Sequence, residues 1–166
     1  MQELKIMVSG HRPNKLGGYD IDNPIRQYVW TQMGAILKYY IDEKFSILGI
    51  SGMALGIDQD FGRLCVDLDL PFLAYVPFIG QENKWPEPSR KDYSILLDKA
   101  KETKIVSKGG YSPGKMQIRN KAMADDCDVA IVVWDGAEKG GTYNCYKYLK
   151  SINKKIIRID PKRNYE

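Results

Sequence analysis

The sequence has few cysteines and histidines and lacks any long hydrophobic run. Its three cysteines (Cys65, Cys127 and Cys145) and single histidine fit neither a metal site nor a disulfide framework, so we expect buried free thiols and no metal or cofactor. No signal peptide and no segment long enough to cross a membrane is recognisable. We therefore expect a cytoplasmic protein that does not contact membranes.

Motifs of several enzyme classes are also missing. No Gly-x-Gly-x-x-Gly follows the first predicted strand, which argues against an ordinary NAD(P) dehydrogenase, and no P-loop lysine motif supports ATP or GTP hydrolysis. A nucleophile elbow and a Cys/His pairing placed for acyl transfer are absent as well. Because repeats, linkers and low-complexity segments are also lacking, residues 1–166 are expected to form one domain.

The composition that is present suits a folded core with a small excess of positive charge. Of the 166 residues 43% are hydrophobic, and 25 Lys and Arg residues against 21 Asp and Glu give a formal charge of +4. This balance suits a phosphate-bearing ligand and permits nucleic acid without requiring either. Basic residues concentrate near the C-terminus, where we expect a solvated tail: Lys154, Lys155, Arg158, Lys162 and Arg163.

Apolar runs and amphipathic segments alternate along the chain. Strands are predicted at residues 4–9, 45–50, 71–77, 104–107, 128–134 and 155–159, and a helix is predicted after each of the first five. The first of these helices, residues 25–43, is amphipathic. The third is predicted at residues 90–101, after a loop at residues 78–88, and the fourth at residues 115–125. Regular alternation of this kind indicates right-handed crossovers and a parallel sheet. We predict a Rossmann-like three-layer α/β/α domain with a mainly parallel sheet.

The first strand ends in residues suited to an anionic ligand. Ligands of open α/β sheets bind beyond the carboxyl ends of the strands. There, Gly10 lets the backbone approach a ligand closely, and Arg12 can pair with phosphate oxygens. His11 has two interpretations, a turn residue with a local hydrogen bond or a group that contacts the ligand.

The second strand runs into a glycine-containing helix start at residues 51–58. The Ser51 hydroxyl and the Gly52 backbone are placed to donate hydrogen bonds, and Met53 lies in the same loop. Gly56 lets the following helix pack closely. Asp58 either complements the dipole of this helix or accepts a hydrogen bond from a ribose hydroxyl.

Residues 117–142 form the strongest single candidate for a ligand site. A buried strand is followed by Asp135 and Gly136 and then by Gly140, Gly141 and Thr142, which open a helix. Backbone N–H groups in glycine loops and at helix N-termini attract anions. Farther from this stretch, in the loop after the third strand, Trp85 either stacks on a base or covers the rim of the core.

Together these loops resemble the SLOG superfamily, named after the Smf/DprA and LOG proteins, and most closely its YspA-type branch of small single-domain proteins. Residues 51–58 resemble the Ser-Gly-x-Ala-x-Gly-Ile-Asp signature of DprA. Arg119-Asn120-Lys121-x-Met123 and the Gly-Gly-Thr loop at 140–142 resemble two sequence blocks of LOG proteins. The resemblance implies a Rossmann-like fold with a nucleotide-type ligand, over which Arg119 and Asn120 would close.

The resemblance implies two activities that the sequence supports unequally. LOG enzymes cleave the N-glycosidic bond of nucleoside monophosphates with an arginine, which Arg119 matches, and a glutamate after the Gly-Thr pair. This chain has Tyr143-Asn144-Cys145 there, so hydrolysis would need Asp58 or Asp135 as a substitute. DprA binds single-stranded DNA, for which this chain shows no interleaved basic and aromatic stripe.

We therefore predict a protein that binds a nucleotide-derived small molecule, such as a nucleoside phosphate, ADP-ribose or a cyclic relative, as a sensor or sequestering protein. The glycine loops and Arg12 would hold the phosphate, and Asp58 or Asp135 would accept from ribose hydroxyls. Two alternatives stay open, a phosphoribohydrolase-like enzyme and a single-stranded DNA-binding protein. A homodimer or higher oligomer is expected through the aromatic face of residues 25–43.

Overall fold

The computed structural model describes residues 1–162, which form a six-stranded parallel sheet with helices on both faces. The strands are β1 (Gln2–Gly10), β2 (Phe45–Ser51), β3 (Phe72–Val76), β4 (Glu102–Ile105), β5 (Val129–Val133) and β6 (Lys155–Ile159). The helices are α1 (Pro24–Asp42), α2 (Ile57–Asp67), α3 (Glu87–Asp98), α4 (Lys115–Asp126) and α5 (Gly141–Ser151), and a 3-10 turn spans Pro13–Lys15. The predicted Rossmann-like three-layer fold is confirmed.

Both faces of the sheet are covered by apolar side chains. Successive side chains of a strand point to opposite faces, so Ile6 and Val8 of β1 join the core under α1, α2 and α3, while Met7 joins the core under α4 and α5. All five residues of β5 are buried. This continuous burial explains why the β5 sequence is an unbroken apolar run.

The order of the strands leaves a crevice at the carboxyl ends of β1 and β5. The sheet order is β4-β3-β2-β1-β5-β6, so the chain builds outward from β1 to β4 and then returns to the other side of β1. Where the strand order reverses in this way, the loops after the neighbouring strands leave a crevice between them. The loops that follow β1 and β5 therefore border this crevice.

The basic C-terminal segment is a sheet edge and not the solvated tail that was expected. Strand β6 pairs with β5 along its whole length. The Lys154 ammonium donates to the Cys127 carbonyl oxygen at 2.7 Å, and the Lys162 ammonium lies 3.6 Å from the Asp135 carboxylate. The described part of the segment is thus held by pairing and by polar contacts, while Arg163 lies outside the described residues.

Helix α1 directs most of its aromatic side chains into the protein. Tyr40 is buried, Tyr28 and Trp30 pack against the core, and Tyr39 is 57% exposed. An oligomer through this helix stays a prediction, with Tyr39 as its exposed aromatic side chain. No helix among residues 1–162 is long and apolar enough to span a bilayer.

The three cysteines are free and buried, as predicted. Burial raises the pKa of Cys65 and of Cys127 to about 12, and that of Cys145 to about 11. All three thiols are therefore protonated at neutral pH, which removes the thiolate form that nucleophilic chemistry requires.

Candidate anion-binding site

A cavity of about 280 Å³ lies where the carboxyl end of β1 meets the first turns of α4 and α5. It is lined by Ser9, Gly10, His11, Arg12, Asn14, Lys15, Asp58, Met116, Gln117, Arg119, Asn120, Lys139, Gly140, Gly141 and Thr142. Nine of these were predicted from the sequence: Gly10, His11, Arg12, Asp58, Arg119, Asn120, Gly140, Gly141 and Thr142. The structure therefore brings together residues from three predicted loops.

The N-terminus of α5 supplies hydrogen-bond donors to this cavity. Gly140 has φ +94°, a conformation that disfavours residues with a side chain and that lets the loop turn directly into the helix. No side chain among residues 1–162 caps α5, and the first turn of this helix contains no acidic residue. The backbone N–H groups of residues 141–143 are therefore available to an anion, and the helix dipole adds partial positive charge.

Positively charged side chains outnumber negatively charged ones in the cavity lining. Arg12, Lys15, Arg119 and Lys139 contribute cations, whereas Asp58 is the one carboxylate among the described residues that line the cavity. Among residues 1–162, no three His, Cys, Asp or Glu side chains cluster as a metal site would require. The charge balance of the cavity therefore favours an anion.

Arg119 is a buried cation held mainly by backbone oxygens. It is 2% exposed, and its Nη1 donates to the carbonyl oxygens of Gly52 at 2.6 Å and Tyr75 at 3.4 Å. Its Nε donates to the side-chain oxygen of Asn120 at 2.8 Å. Within the described chain, the one hydrogen bond of Nη2 is to the Met116 sulfur, at 3.9 Å, so this nitrogen keeps donor capacity for a ligand.

Asp58 is a buried carboxylate in the same cavity. Its Oδ2 accepts a hydrogen bond from the backbone N–H of Ala54 at 3.3 Å. Burial raises the pKa of Asp58, and the nearby charges of Arg119 and Arg12 oppose this rise. Burial also lowers the pKa of Arg119, which the charge of Asp58 opposes.

Asp58 and Arg119 influence each other without direct contact. No ion pair joins their side chains in the part of the chain that the structure describes. Each group therefore keeps hydrogen-bonding capacity that a ligand can use, Arg119 as a donor and Asp58 as an acceptor. Buried charges without full partners are costly, and such groups are concentrated at functional sites.

His11 joins the loop after β1 to the loop after β5. Its Nε2 accepts a hydrogen bond from the backbone N–H of Asp135 at 3.0 Å, across 124 positions of sequence. Burial lowers the pKa of His11, although the Asp135 carboxylate, 3.4 Å from Nε2, opposes this change. Because Nε2 accepts a hydrogen bond, we assign the proton of the neutral ring to Nδ1. The hydrogen bond is long-range, not local, and His11 also lines the cavity.

The Asp135 carboxylate is engaged by the protein itself and does not line the cavity. It lies 3.5 Å from the Lys15 ammonium and 3.6 Å from that of Lys162, and it accepts from the backbone N–H of Ala137 at 3.0 Å. Burial alone would raise the pKa of Asp135, but the Ala137 hydrogen bond, His11 and the two lysines together lower it to about 2. The Asp135 carboxylate is therefore ionised, and its contacts hold the loop after β5 in place.

Ser51 and Met53 support Asp58 from behind the cavity. The Ser51 hydroxyl donates to the backbone oxygen of Asp58 at 2.7 Å and accepts from the backbone N–H of Met53 at 3.1 Å. Both residues are buried and neither lines the cavity. They hold the turn between β2 and α2, and Asp58 lies in the first turn of α2 that follows.

Gly52 and Gly56 are required by close approaches at the back of the site. A Cβ at Gly52 would lie 2.5 Å from Nη1 of Arg119, so a glycine here leaves room for the guanidinium. A Cβ at Gly56 would lie 2.5 Å from the backbone oxygen of His11, and Gly56 also has φ +96°. These two glycines position Arg119 and His11 without lining the cavity.

The remaining predicted residues also lie outside the lining. Trp85 packs edge-on against Tyr93, with ring centroids 5.2 Å apart, and contacts the core, as in the core-rim interpretation of this residue. Gly136 has φ +92° and forms the turn after Asp135. With Ser51, Gly52, Met53 and Gly56, these residues support the cavity or lie apart from it.

Six lining residues were not predicted individually: Ser9, Asn14, Lys15, Met116, Gln117 and Lys139. Helical spacing could have identified two of them. Met116 and Gln117 lie three positions before Arg119 and Asn120 on α4, and residues three apart share a helix face. Lys139 directly precedes the predicted glycine loop, so its position was also accessible from the sequence.

Residues 6–162 match the YspA SLOG family. Two curated relatives are UPF0398 proteins of Bacillus thuringiensis (strain Al Hakam) and Bacillus cereus (strain B4264). Each is 25% identical over 166 residues, which cover 96% of this chain and 88% of the relative.

Solved structures share the fold at low sequence identity. DprA (DNA processing protein A) from Streptococcus pneumoniae has a TM-score of 0.65 at 15% identity, and the match covers 95% of this chain but half of that one. DprA from Helicobacter pylori, described for its single-stranded DNA binding mode, has a TM-score of 0.64 at 17% identity. The match covers 97% of this chain and 67% of the Helicobacter pylori chain. TM1055 has a TM-score of 0.56 at 14% identity, with 92% and 72% covered. Because the family match spans nearly all described residues, and its fold is shared by these structures, the chain belongs to the YspA SLOG family.

Proposed function

We propose that the cavity binds a nucleotide-derived small molecule and that the protein acts as a sensor or sequestering protein for it. The observation that carries this proposal is an uncapped α5 N-terminus that shares one cavity with Arg119 and Asp58, two buried opposite charges that form no ion pair. The phosphate accepts from the N–H groups at Gly141 and Thr142 and pairs with Arg12. A ribose hydroxyl donates to Asp58.

The size of the cavity favours a small member of this ligand class. Sites for small molecules commonly measure roughly 300–1,000 Å³. At about 280 Å³, the cavity suits a nucleoside monophosphate better than the larger ADP-ribose. The four cations of the lining also favour phosphate over an uncharged nucleoside.

The groups at the site favour binding over N-glycosidic hydrolysis. Cleavage of this bond uses a carboxylate that stabilises the developing positive charge or activates water. The first turn of α5 contains no acidic residue, and the Asp135 carboxylate is engaged by Lys15 and Lys162. Asp58 is the lining carboxylate that could act, and its pKa is raised by burial. We therefore propose binding, and the experiment below also detects hydrolysis if it occurs.

Calorimetric titration with AMP, ribose 5-phosphate, ADP-ribose and adenosine tests the proposal. We expect AMP to bind and adenosine to bind far more weakly. Arg12→Ala should weaken AMP binding by roughly tenfold or more, the effect of losing a hydrogen bond to a charged group. Arg90→Ala, at an exposed arginine on α3, is the matched control and should bind AMP as the wild type does.

The ribose contact is tested with Asp58→Asn, which keeps the shape of the side chain and removes its charge. AMP should lose more affinity than 2′,3′-dideoxy-AMP, because the analogue has no hydroxyl to donate. Chromatography of each mixture detects released adenine. Equal binding of adenosine and AMP, or equal effects of Arg12→Ala and Arg90→Ala, would contradict the proposal, and released adenine would establish the hydrolase alternative.

A further inference from the structure

A second surface, formed by α5, β6 and the end of β5, carries concentrated positive charge. Residues 139–162 contain seven Lys and Arg residues and one Asp, so the formal charge of this segment is more positive than the +4 of the whole chain. We name this the α5–β6 surface and define it by Trp134, Tyr143, Tyr146, Lys147, Lys150 and Arg158. None of these six residues lines the cavity described above.

Three aromatic rings form the base of the α5–β6 surface. The Trp134 indole stacks on Tyr143, with centroids 5.6 Å apart and an interplanar angle of 21°, and lies 4.7 Å from the Tyr146 ring at 31°. Trp134 is buried, and its Nε1 donates to the Ala137 backbone oxygen at 2.9 Å. The two tyrosines are half-buried. The rings are thus held against one another with tyrosine surface still accessible.

Three cations lie over these rings. The Lys147 ammonium is 4.6 Å from the Tyr143 ring, the Lys150 ammonium 5.5 Å from the Tyr146 ring, and the Arg158 guanidinium 4.8 Å from the Trp134 ring. Arg158 is fixed by two hydrogen bonds to the Trp134 backbone oxygen, at 3.2 and 3.1 Å. The two lysines are exposed. Because their side chains are flexible, they can pair with phosphates and leave the rings free to stack.

The aromatic and basic residues of α5 follow a helical stripe. Tyr143, Tyr146, Lys147 and Lys150 are spaced i, i+3, i+4 and i+7, which places them on one face of α5. This finding corrects the expectation that the chain has no interleaved basic and aromatic stripe. Arg158 of β6 and Trp134, which directly follows β5, extend the stripe.

A hollow of about 440 Å³ lies next to this stripe. It is lined by Tyr146, Lys150, Asn153, Lys154, Ile156 and Arg158, so that no acidic side chain borders it among the described residues. The side-chain amide of Asn153 can both donate and accept hydrogen bonds. The hollow therefore combines a ring face, an amide and three cations in one place.

We propose that the α5–β6 surface binds single-stranded nucleic acid. Successive bases stack on Tyr146 and Tyr143, and the phosphates between them pair with Lys147 and Lys150. Stacking on protein rings requires unstacked bases, which a duplex does not offer. None of the exposed large hydrophobic side chains of the described chain belongs to this surface, so it has nothing to insert into a membrane.

Fluorescence anisotropy with a labelled single strand of about 12 nucleotides tests the proposal on the full chain. Lys147→Ala combined with Lys150→Ala should lower the slope of log affinity against log salt by roughly 1.4, as expected for two phosphate contacts on a single strand. Lys38→Ala combined with Lys91→Ala, at exposed lysines on α1 and α3 in the other helical layer, should leave the slope unchanged.

Tyr146→Leu tests the stacking separately from the charge. Leucine keeps apolar contact with the core while removing the ring, and we expect roughly tenfold weaker oligonucleotide binding. The exposed lysine variants keep the test valid if Tyr146→Leu proves unstable. AMP titration of the lysine double variant should match the wild type, because these residues lie outside the cavity.

Four results would each overturn the proposal. The first is no oligonucleotide binding by the wild-type chain, and the second is equal losses in the two lysine double variants. The third is a duplex or polyglutamate that binds as tightly as the single strand. The fourth is loss of oligonucleotide binding in Arg12→Ala with no loss in Lys147→Ala/Lys150→Ala, which would assign the nucleic acid to the cavity.

Discussion

Gly52→Ala tests whether the backbone around β2 holds the buried guanidinium in place. The added Cβ would lie 2.5 Å from Nη1, 2.7 Å from Cζ and 3.0 Å from Nε of Arg119. Arg119 cannot move outward freely, because it is 2% exposed and donates to the backbone oxygens of Gly52 and Tyr75. The substitution must therefore displace the guanidinium and disturb its 2.6 Å hydrogen bond to Gly52.

The size of the effect follows from two costs. Inserting a methyl group into a packed site costs roughly 1–3 kcal/mol, and losing a hydrogen bond to a charged group costs roughly 1.5–3 kcal/mol. Because the displacement relieves only part of the crowding while it weakens the hydrogen bond, the two costs add in part, and we expect the free energy of unfolding to fall by roughly 2–4 kcal/mol. For a chain of this length, that corresponds to a fall in Tm of roughly 4–16 °C.

Urea denaturation followed by circular dichroism measures this loss. Gly110→Ala is the matched control, since no heavy atom lies within 4 Å of its added Cβ. We expect Gly110→Ala to change the free energy of unfolding by less than about 0.5 kcal/mol. Equal urea midpoints for the two variants would refute the reasoning, because they would mean that Arg119 is not confined by Gly52.

Three further predictions concern ionisable groups. His11 is the one histidine of the chain, so its imidazole NMR signal is unambiguous, and it should titrate below the ordinary pKa of 6.5 because burial lowers its pKa. The stability contributed by the neutral ring is then present above pH 6.5 and is lost as the pH falls through the folded-state pKa of His11. An NMR titration midpoint above 6.5 would contradict this. In Asp58→Asn the opposite sign applies, because burial raises the folded-state pKa of Asp58. The stability of the wild type relative to the variant should therefore fall as the pH rises from 3.8 through that pKa in urea denaturation, and a relative stability that rises over this range would argue against a buried charge. A thiol reagent at pH 8 should label Cys65, Cys127 and Cys145 only after unfolding, since burial raises the pKa of each, and rapid labelling of the native protein would show that a thiol is accessible.

Local patterns in the sequence were sufficient to predict the elements of the fold. Strand β6 was predicted at its observed bounds, and α4 was predicted to within one residue, because apolar periodicity is a property of neighbouring residues. Helix α3 was predicted to start at residue 90, but it begins at Glu87. Pro86 and Pro88 were assigned to a loop, although a helix tolerates proline at its N-cap and in its first turn.

The sequence also predicted loops that meet at one cavity of the structure. Glycines and polar residues after β1 and β2 and before α5 mark the carboxyl ends of parallel strands, where such cavities form. Local sequence did not distinguish residues that line the cavity from those that support it. Ser51 and Gly52 were expected to donate to a ligand, whereas the Ser51 hydroxyl donates to the backbone oxygen of Asp58 and the Gly52 carbonyl oxygen accepts from Arg119.

The sequence by itself determined the strand–helix order, the parallel sheet and the glycine loops at one edge of it. The tertiary structure decided which distant residues meet: Arg119 and Gly52 across 67 positions, His11 and Asp135 across 124, and the α5 tyrosines with Trp134 and Arg158. These contacts depend on the return of β5 to the side of β1, which sets neighbours that no local pattern encodes. Propensity and spacing constrain residues within a few positions of each other, whereas packing against the whole core sets where each side chain finally points.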